Sequence, residues 1–343
     1  MPTSRQDLLE CLSNRLLHLI LMPTEACNFR CVYCYEDFQY RRMERPVVEG
    51  VKNLIRMRIP ELRRLTISWF GGEPLLARDI IREIMADARS LASDRESAVH
   101  SDMTTNAYLL NRDVFEEMLV SGVSDYQVSF DGTRAEHDRK RILAGGRGTF
   151  DRIWANLCDI RSVPGMFTIT VRVHAARDNE NDLPTFIDEF ARTFGNDERF
   201  ELFVRPLSRL GGPNDSNLPV FEEEEARQRV TDLRAYASRL GLRQLDLSAG
   251  KGICYAARGN SFVVRANGRL NKCTVSLEHP NNQVGFLHPD GTMTLNQPSM
   301  LMWMRGLQTG AEAQLQCPMK GYADPERRSA GGVPLTVQAA GRL

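Results

Sequence analysis

The apolar pattern of this chain changes period repeatedly between residue 14 and about residue 205. Strand-length apolar runs occur at 16–22, 65–70, 99–104, 126–130, 168–174 and 199–204. Between them, apolar residues recur at helical spacing at about 46–58, 78–92, 111–121, 149–161 and 183–194. In the second of these helices Ile80, Ile81, Ile84, Met85, Ala88 and Leu91 form one stripe, and the arginines and acids between them face water. Asn111 and Asp182 each precede a helix, where a short polar side chain caps free backbone amides. Such regular alternation predicts parallel strands joined by right-handed crossovers. Six units make an open, partial (β/α)6 barrel over residues 1–206.

The pattern breaks at 207–218, where Gly211-Gly212-Pro213-Asn214-Asp215 reads as a linker. A charged helix follows at about 221–240, so 207–250 is assigned to a linker and a bridging helix. Its Glu222–Glu225 run reads as a solvated first turn suited to the positive helix end. From 251 the texture shifts to short strands at 261–265 and 270–275 around the turn Ala266-Asn267-Gly268-Arg269, with a second turn at Pro289-Asp290-Gly291. This predicts a small, separate C-terminal α+β domain over 251–322 and a flexible tail over 323–343.

Composition narrows the class. Apolar content of 42% and charged content of 26% are those of a globular protein that stays in water. The 44 basic residues balance the 44 acidic ones, so no net field draws nucleic acid or an anionic membrane as a partner. The run at 16–22 is interrupted by His18 and is too short to span a bilayer or act as a signal peptide, which makes the cytoplasm the expected location. In that compartment eight cysteines are thiols and not four disulfides. Six fall into two groups, Cys27/Cys31/Cys34 and Cys254/Cys273/Cys317. Cys11 and Cys158, alone on helical stretches, are expected to be buried and inert.

The first group follows the first strand with the spacing Cys-x3-Cys-x2-Cys. Three thiolates hold three irons of a four-iron cluster and leave the fourth open to a reacting ligand. A structural zinc site prefers four ligands in paired knuckles, and no Cys-x2-Cys partner lies nearby. Trp69-Phe70-Gly71-Gly72-Glu73-Pro74 follows the second strand, with two glycines that permit close backbone approach and a carboxylate suited to an ammonium group.

Together these segments resemble the radical S-adenosylmethionine (radical SAM) superfamily, and the resemblance runs over roughly residues 14–320. It implies a 4Fe-4S cluster on Cys27, Cys31 and Cys34 whose open iron chelates SAM, with reductive cleavage to a 5′-deoxyadenosyl radical. On the same resemblance Tyr33 packs near adenine, while Gly71, Gly72, Glu73 and Pro74 hold the SAM amine. Thr105 and Asn106 end the third strand, and Ser129 and Asp131 occupy the ribose-contacting segment. In His137-Asp138-Arg139-Lys140-Arg141, resembling a His-Asp-x-x-Arg stretch of peptide-modifying relatives, Arg141 pairs with the SAM carboxylate. Arg172 points either into the barrel or outward, and period-2 reasoning leaves both open.

Cys254, thirteen residues, Gly268, four residues and Cys273 match the opening of the auxiliary-cluster domain called SPASM, or twitch in its short form. The later run departs from that pattern, because Cys317-Pro318-Met319 leads to Lys320 and no cysteine follows. The resemblance therefore implies one auxiliary 4Fe-4S cluster on Cys254, Cys273 and Cys317, which either carries electrons or touches substrate. The alternative is three unliganded thiols.

The motif set is most similar to maturases of ribosomally synthesised peptides, implying cross-linking of side chains on a precursor peptide, by thioether or carbon–carbon bonds. A reductant such as flavodoxin or ferredoxin is implied as a partner. Only about fifteen residues precede the first strand, so leader binding falls to a separate protein, to strand addition at the barrel edge, or is not used. The alternative is a dehydrogenase or epimerase of a small molecule such as an aminoglycoside, with Cys158 as a candidate hydrogen donor. Sulfatase activation is disfavoured because its full seven-cysteine pattern is missing.

Overall fold

The computed structural model describes residues 4–93, 95, 97–245 and 252–322, so the expected tail at 323–343 and the end of the expected linker at 246–251 lie outside the described residues. Six parallel strands form the backbone of the fold: β1 (Leu16–Thr24), β2 (Arg64–Gly71), β3 (Ala98–Thr105), β4 (Asp125–Phe130), β5 (Thr168–Ala175) and β6 (Phe200–Pro206). They follow one another in sequence order across the sheet. This is the expected open (β/α)6 sheet. The helices that cover it are α2 (Arg45–Arg58), α3 (Arg78–Ser93), α4 (Arg112–Ser121), α6 (Phe150–Arg161) and α7 (Leu183–Phe194), after a short α1 (Arg5–Leu12) and with α5 (Arg134–Lys140) inserted before α6.

The core lies between the strands and this helical layer. In α3, Ile80, Ile81, Ile84, Met85 and Ala88 are buried, as the stripe predicts. Asn111 caps α4 by accepting from the Val114 amide, but Asp182 makes no side-chain cap to α7, where Pro184 already removes one amide from the first turn. The charged helix α8 (Glu223–Arg239) has its first-turn Glu225 paired with Arg177 at 2.6 Å.

Beyond the linker the chain does not start an independent sheet. β7 (Ser261–Val264) pairs in parallel with β1, with His18 beside Ser261 and Leu21 beside Val264. Next come β8 (Arg269–Asn271), β9 (Gln283–Leu287) and β10 (Met293–Leu295), each antiparallel to its neighbour, giving one ten-stranded sheet. A buried ion pair fastens the junction: Arg265 contacts Glu25 at 2.7 Å and lies over the Tyr40 ring. Among the described residues no helix is long and apolar enough to cross a membrane.

Candidate functional site

The carboxyl ends of the parallel strands enclose a cavity of about 490 Å³. Cys27, Cys31 and Cys34 all line it, on the segment that leaves β1. Backbone contacts hold this loop from the α5–α6 connection: Arg30 N–H donates to Ile142 O (2.8 Å), Val32 N–H to Lys140 O (3.0 Å) and Ala144 N–H to Asn28 O (2.8 Å). His137 and Asp138 build that connection. Asp138 accepts from the Thr149 and Phe150 amides, His137 Nε2 meets the Thr149 hydroxyl at 3.0 Å, and the same hydroxyl donates to Arg141 O. The His-Asp part of the motif is thus a clamp that shapes the platform under the cysteine loop.

The expected linker proves to be a wall. Leu207, Ser208 and Leu210 line the cavity, and Asn214 Nδ2 donates to Val32 O at 2.9 Å. Gly212, at φ +112°, passes so close to the cysteine loop that a Cβ would stand 2.4 Å from Cys34 O.

Glycine at 72 also serves chain-on-chain approach, since a Cβ there would meet Ala26 O at 2.5 Å. Gly71 and Gly72 line the cavity, whereas Glu73 lies wholly buried behind it. Its carboxylate accepts from the Leu75 amide (3.0 Å), the Thr105 hydroxyl (2.8 Å) and the Asn106 amide (2.7 Å). Burial pushes the Glu73 carboxyl up, opposed by the Asn106 and Leu75 amides and the Thr105 hydroxyl. Glu73 and the buried Pro74 thereby order the end of β3, and Thr105 and Asn106 present themselves to the cavity. Asn106 Nδ2 donates to Asn28 Oδ1 at 2.8 Å, tying β3 to the cysteine loop.

Opposite stands a buried polar network. Tyr33 O–H donates to Asp131 Oδ2 (2.8 Å), Arg141 donates to the Tyr33 oxygen (2.6 Å), and Asp131 Oδ1 meets His174 Nδ1 at 2.8 Å. Burial alone would raise the Asp131 carboxyl, yet His174, Arg141 and His137 hold it below the usual carboxylate range. Burial lowers His174 to about 4, so the ring is neutral near pH 7. Asp131 does not line the cavity, while Tyr33, Ser129, Arg141, Arg172 and His174 do. Arg172 therefore points inward, which period-2 reasoning left open. The Nε atoms of Arg141 and Arg172 are buried without a hydrogen-bond partner.

The second cysteine set does not itself line the cavity, but residues beside it do. Tyr255, next to Cys254, and Thr274 and Val275, next to Cys273, line it. Asn282 staples the Cys273 turn: its Oδ1 accepts from the Lys272 and Cys273 amides, and its Nδ2 donates to Cys273 O and Ser276 O. Cys254 N–H donates to Leu315 O (2.8 Å), which draws the Cys317 helix end alongside. Cys254 and Cys273 are partly buried and Cys317 is exposed. Burial pushes the Cys27 thiol up to about 12 and the Cys34 thiol to about 11, and it raises Cys31 and Cys254 as well. Protein groups alone therefore keep these four sulfurs protonated, and a bound metal would have to supply the charge that ionises them. Among the described residues no three His, Cys, Asp or Glu side chains converge on a single ion, so neither set is gathered as a zinc site would be.

One expectation changes. Cys11 is buried as anticipated, but Cys158 is exposed on α6 and does not line the cavity. Sequence reasoning also passed over a polar group inside the sheet, formed by His18, Ser68, Asp102 and Gln127, and over Glu36, which burial raises to about 8. The available signal was a polar residue breaking the apolar run of successive strands at inward positions, as His18 does in β1.

A family model for the Radical SAM superfamily matches residues 21–188. Among solved structures, native anSMEcpe with bound AdoMet and Kp18Cys peptide is 17% identical, with a TM-score of 0.65 over 83% of this chain and 80% of that one. SuiB of Streptococcus suis bound to precursor peptide SuiA is 14% identical, with a TM-score of 0.61 over 86% of this chain and 68% of that one. At these identities the two structures establish the shared fold.

Proposed function

We propose that this chain, whose residues 21–188 form a radical SAM domain, cleaves SAM and modifies a ribosomally synthesised peptide by cross-linking its side chains. When bound, a 4Fe-4S cluster with SAM would supply a hydrogen-abstracting radical, and an auxiliary cluster would accept an electron. The residues fit such groups: Cys27, Cys31 and Cys34 line the cavity, and so do Arg141 and Arg172, whose Nε atoms have no hydrogen-bond partner and whose charge suits the SAM carboxylate. Thr105, Asn106 and Ser129 add hydroxyl and amide groups to the lining, and Tyr33 adds a ring.

One observation carries the reading. A single cavity is lined both by the first cysteine set and by Tyr255 and Thr274, the chain neighbours of Cys254 and Cys273. A substrate held there would meet the radical source and an electron exit together, as oxidative cross-linking requires. The cavity lining supports this reading over an aminoglycoside enzyme, since it carries Arg141, Arg172 and Arg205 beside Glu36 and Asp102 and lacks the acidic excess that would hold a polycation. Peptides bound to anSMEcpe and SuiB support a peptide substrate here, with reduction by a flavodoxin or ferredoxin as a further part of the proposal.

The test is anaerobic reconstitution with SAM, a low-potential reductant and peptides containing Cys, Ser and aromatic residues. We expect peptide-dependent 5′-deoxyadenosine and peptides lighter by a pair of hydrogens. Turnover with amino sugars and none with any peptide would overturn the proposal.

A further inference from the structure

The cavity floor holds a three-residue polar chain that the cysteine chemistry leaves unused. His18 on β1, Ser68 on β2 and Asp102 on β3 all line the cavity, and Ser68 and Asp102 are register partners on adjacent parallel strands. Ser68 Oγ lies 2.6 Å from Asp102 Oδ2 and 2.8 Å from His18 Nε2.

These distances set the tautomer. Ser68 has one proton and gives it to the Asp102 carboxylate, leaving only a lone pair for the imidazole. His18 Nε2 must then be the N–H, and the neutral ring carries its free lone pair on Nδ1. No hydrogen-bond partner of Nδ1 occurs among the described residues. The Tyr255 ring, next in the chain to Cys254, stands edge-on to His18 with centroids 6.2 Å apart. His18 also lines a second cavity of about 460 Å³ with Glu10, His100 and Arg258, which provides a polar route away from the floor.

We propose that His18, oriented through Ser68 by Asp102, is a catalytic residue that accepts the proton of a substrate heteroatom adjacent to the carbon that has lost a hydrogen atom. This rests on the reading that the cavity hosts radical chemistry. The X–H bond breaks, its proton goes to His18 Nδ1, and its electron pair joins the carbon's odd electron. Two of these three electrons form the new C–X bond, and the third passes to a one-electron acceptor of the iron–sulfur class. As the C–X bond begins to form, X gains positive charge and its proton becomes acidic, so a weakly basic imidazole suffices. Once protonated, the ring keeps its Nε2–H···Ser68···Asp102 chain, which places a carboxylate behind the new charge.

Charged and titratable groups surround the ring: Asp102 and His100 from β3, Arg258 and Tyr255 from the segment before β7, Lys272 after β8, and, across the second cavity, Glu10 from α1 and Arg64 from β2. Burial, with Arg258, Lys272 and His100, lowers His18 to about 4, so the ring is neutral and ready to accept near pH 7.

Two readouts test the proposal. In the ¹⁵N-histidine-labelled full chain at pH 7, the signal absent from His18→Gln should report a neutral ring protonated at Nε2, and Asp102→Asn should shift that tautomer. A ring protonated at Nδ1 would overturn the assignment. In the reconstituted enzyme, His18→Gln should keep substrate-dependent 5′-deoxyadenosine while product per 5′-deoxyadenosine falls about 100-fold, and Ser68→Ala, which leaves the ring in place, should lower it about tenfold. Raising the pH should partly restore product in Ser68→Ala. Unchanged coupling in both variants would overturn the role of His18. Absence of any substrate-dependent 5′-deoxyadenosine in the unaltered enzyme would instead overturn the functional reading, and the inference with it.

Discussion

The first cysteine set lines the cavity, the second lies on segments that border it, and the two are built differently. The first stands on a buried framework: Glu73 satisfies three donors of its own loop and of β3, Asn106 reaches the cysteine loop, and Tyr33, Asp131, His174 and Arg141 form a closed network opposite. The second hangs from short turns at a sheet extension, with Asn282 as its main staple and Cys317 exposed at the end of a five-residue helix. The first has the fuller framework of hydrogen bonds. The second has fewer such contacts, so a metal group bound there would contribute more of its order, because metal binding adds its own folding free energy.

The sharpest way to break the comparison is to replace each set. Alanine at Cys27, Cys31 and Cys34 should abolish SAM cleavage and remove about four irons, yet leave the melting temperature of the iron-free chain almost unchanged. Alanine at Cys254, Cys273 and Cys317 should also remove about four irons but keep SAM cleavage. Iron and sulfide analysis beside 5′-deoxyadenosine assays reads both. If the second variant loses no iron, the C-terminal thiols carry no cluster.

Framework substitutions should separate the regions by a smaller margin. Glu73→Ala strands three buried donors and should cost about 3 kcal/mol, measured by denaturant unfolding, and should impair SAM binding. Asn282→Ala strands the groups of one turn at about 2 kcal/mol and should loosen only the second set, which thiol labelling of Cys273 against Cys27 would resolve.

The smallest effect is one of pH. Burial lowers His137 to about 3 and both His18 and His174 to about 4, and all three belong to the barrel half. Each has a folded value below its unfolded one, so the unfolded chain binds more protons as pH falls below about 6.5. Stability should therefore decline on acidification from about pH 6.5 towards 4. His137→Gln keeps a group for Thr149 but cannot take up a proton, and it should remove about 1.4 kcal/mol per pH unit from that slope. Urea unfolding at pH 7 and pH 5 measures it, and an unaltered slope would show that His137 is already protonated when folded.

Much of the fold was legible because strand and helix periods alternate cleanly. The six parallel strands fall within two residues of the expected runs, and the Asn111 cap forms as the side chain predicts. The cysteine triplet and Gly71-Gly72 were legible as local motifs. Less legible was what the neighbours of a motif do. Asp138 reads as part of a cofactor signature and serves as the cap of α6, and 207–218 reads as a linker because glycine and proline mark turns, yet it packs onto the cysteine loop. Cys158 shows the limit of composition, because an apolar side chain on an amphipathic helix is not buried unless it falls on the inward stripe.

By itself the sequence determined the period of each element, the spacing of both cysteine sets and the balance of charge, since these depend on neighbours within a few positions. Tertiary structure alone decided the rest. It turned Arg172 inward, joined β7 to β1 so that residues beside Cys254 and Cys273 border the cavity of the first set, and brought His18, Ser68 and Asp102 into one hydrogen-bonded chain from positions fifty and thirty-four residues apart. Those relations depend on strand register and closure across the sheet, and periodicity within a strand carries no record of which strand will lie beside it.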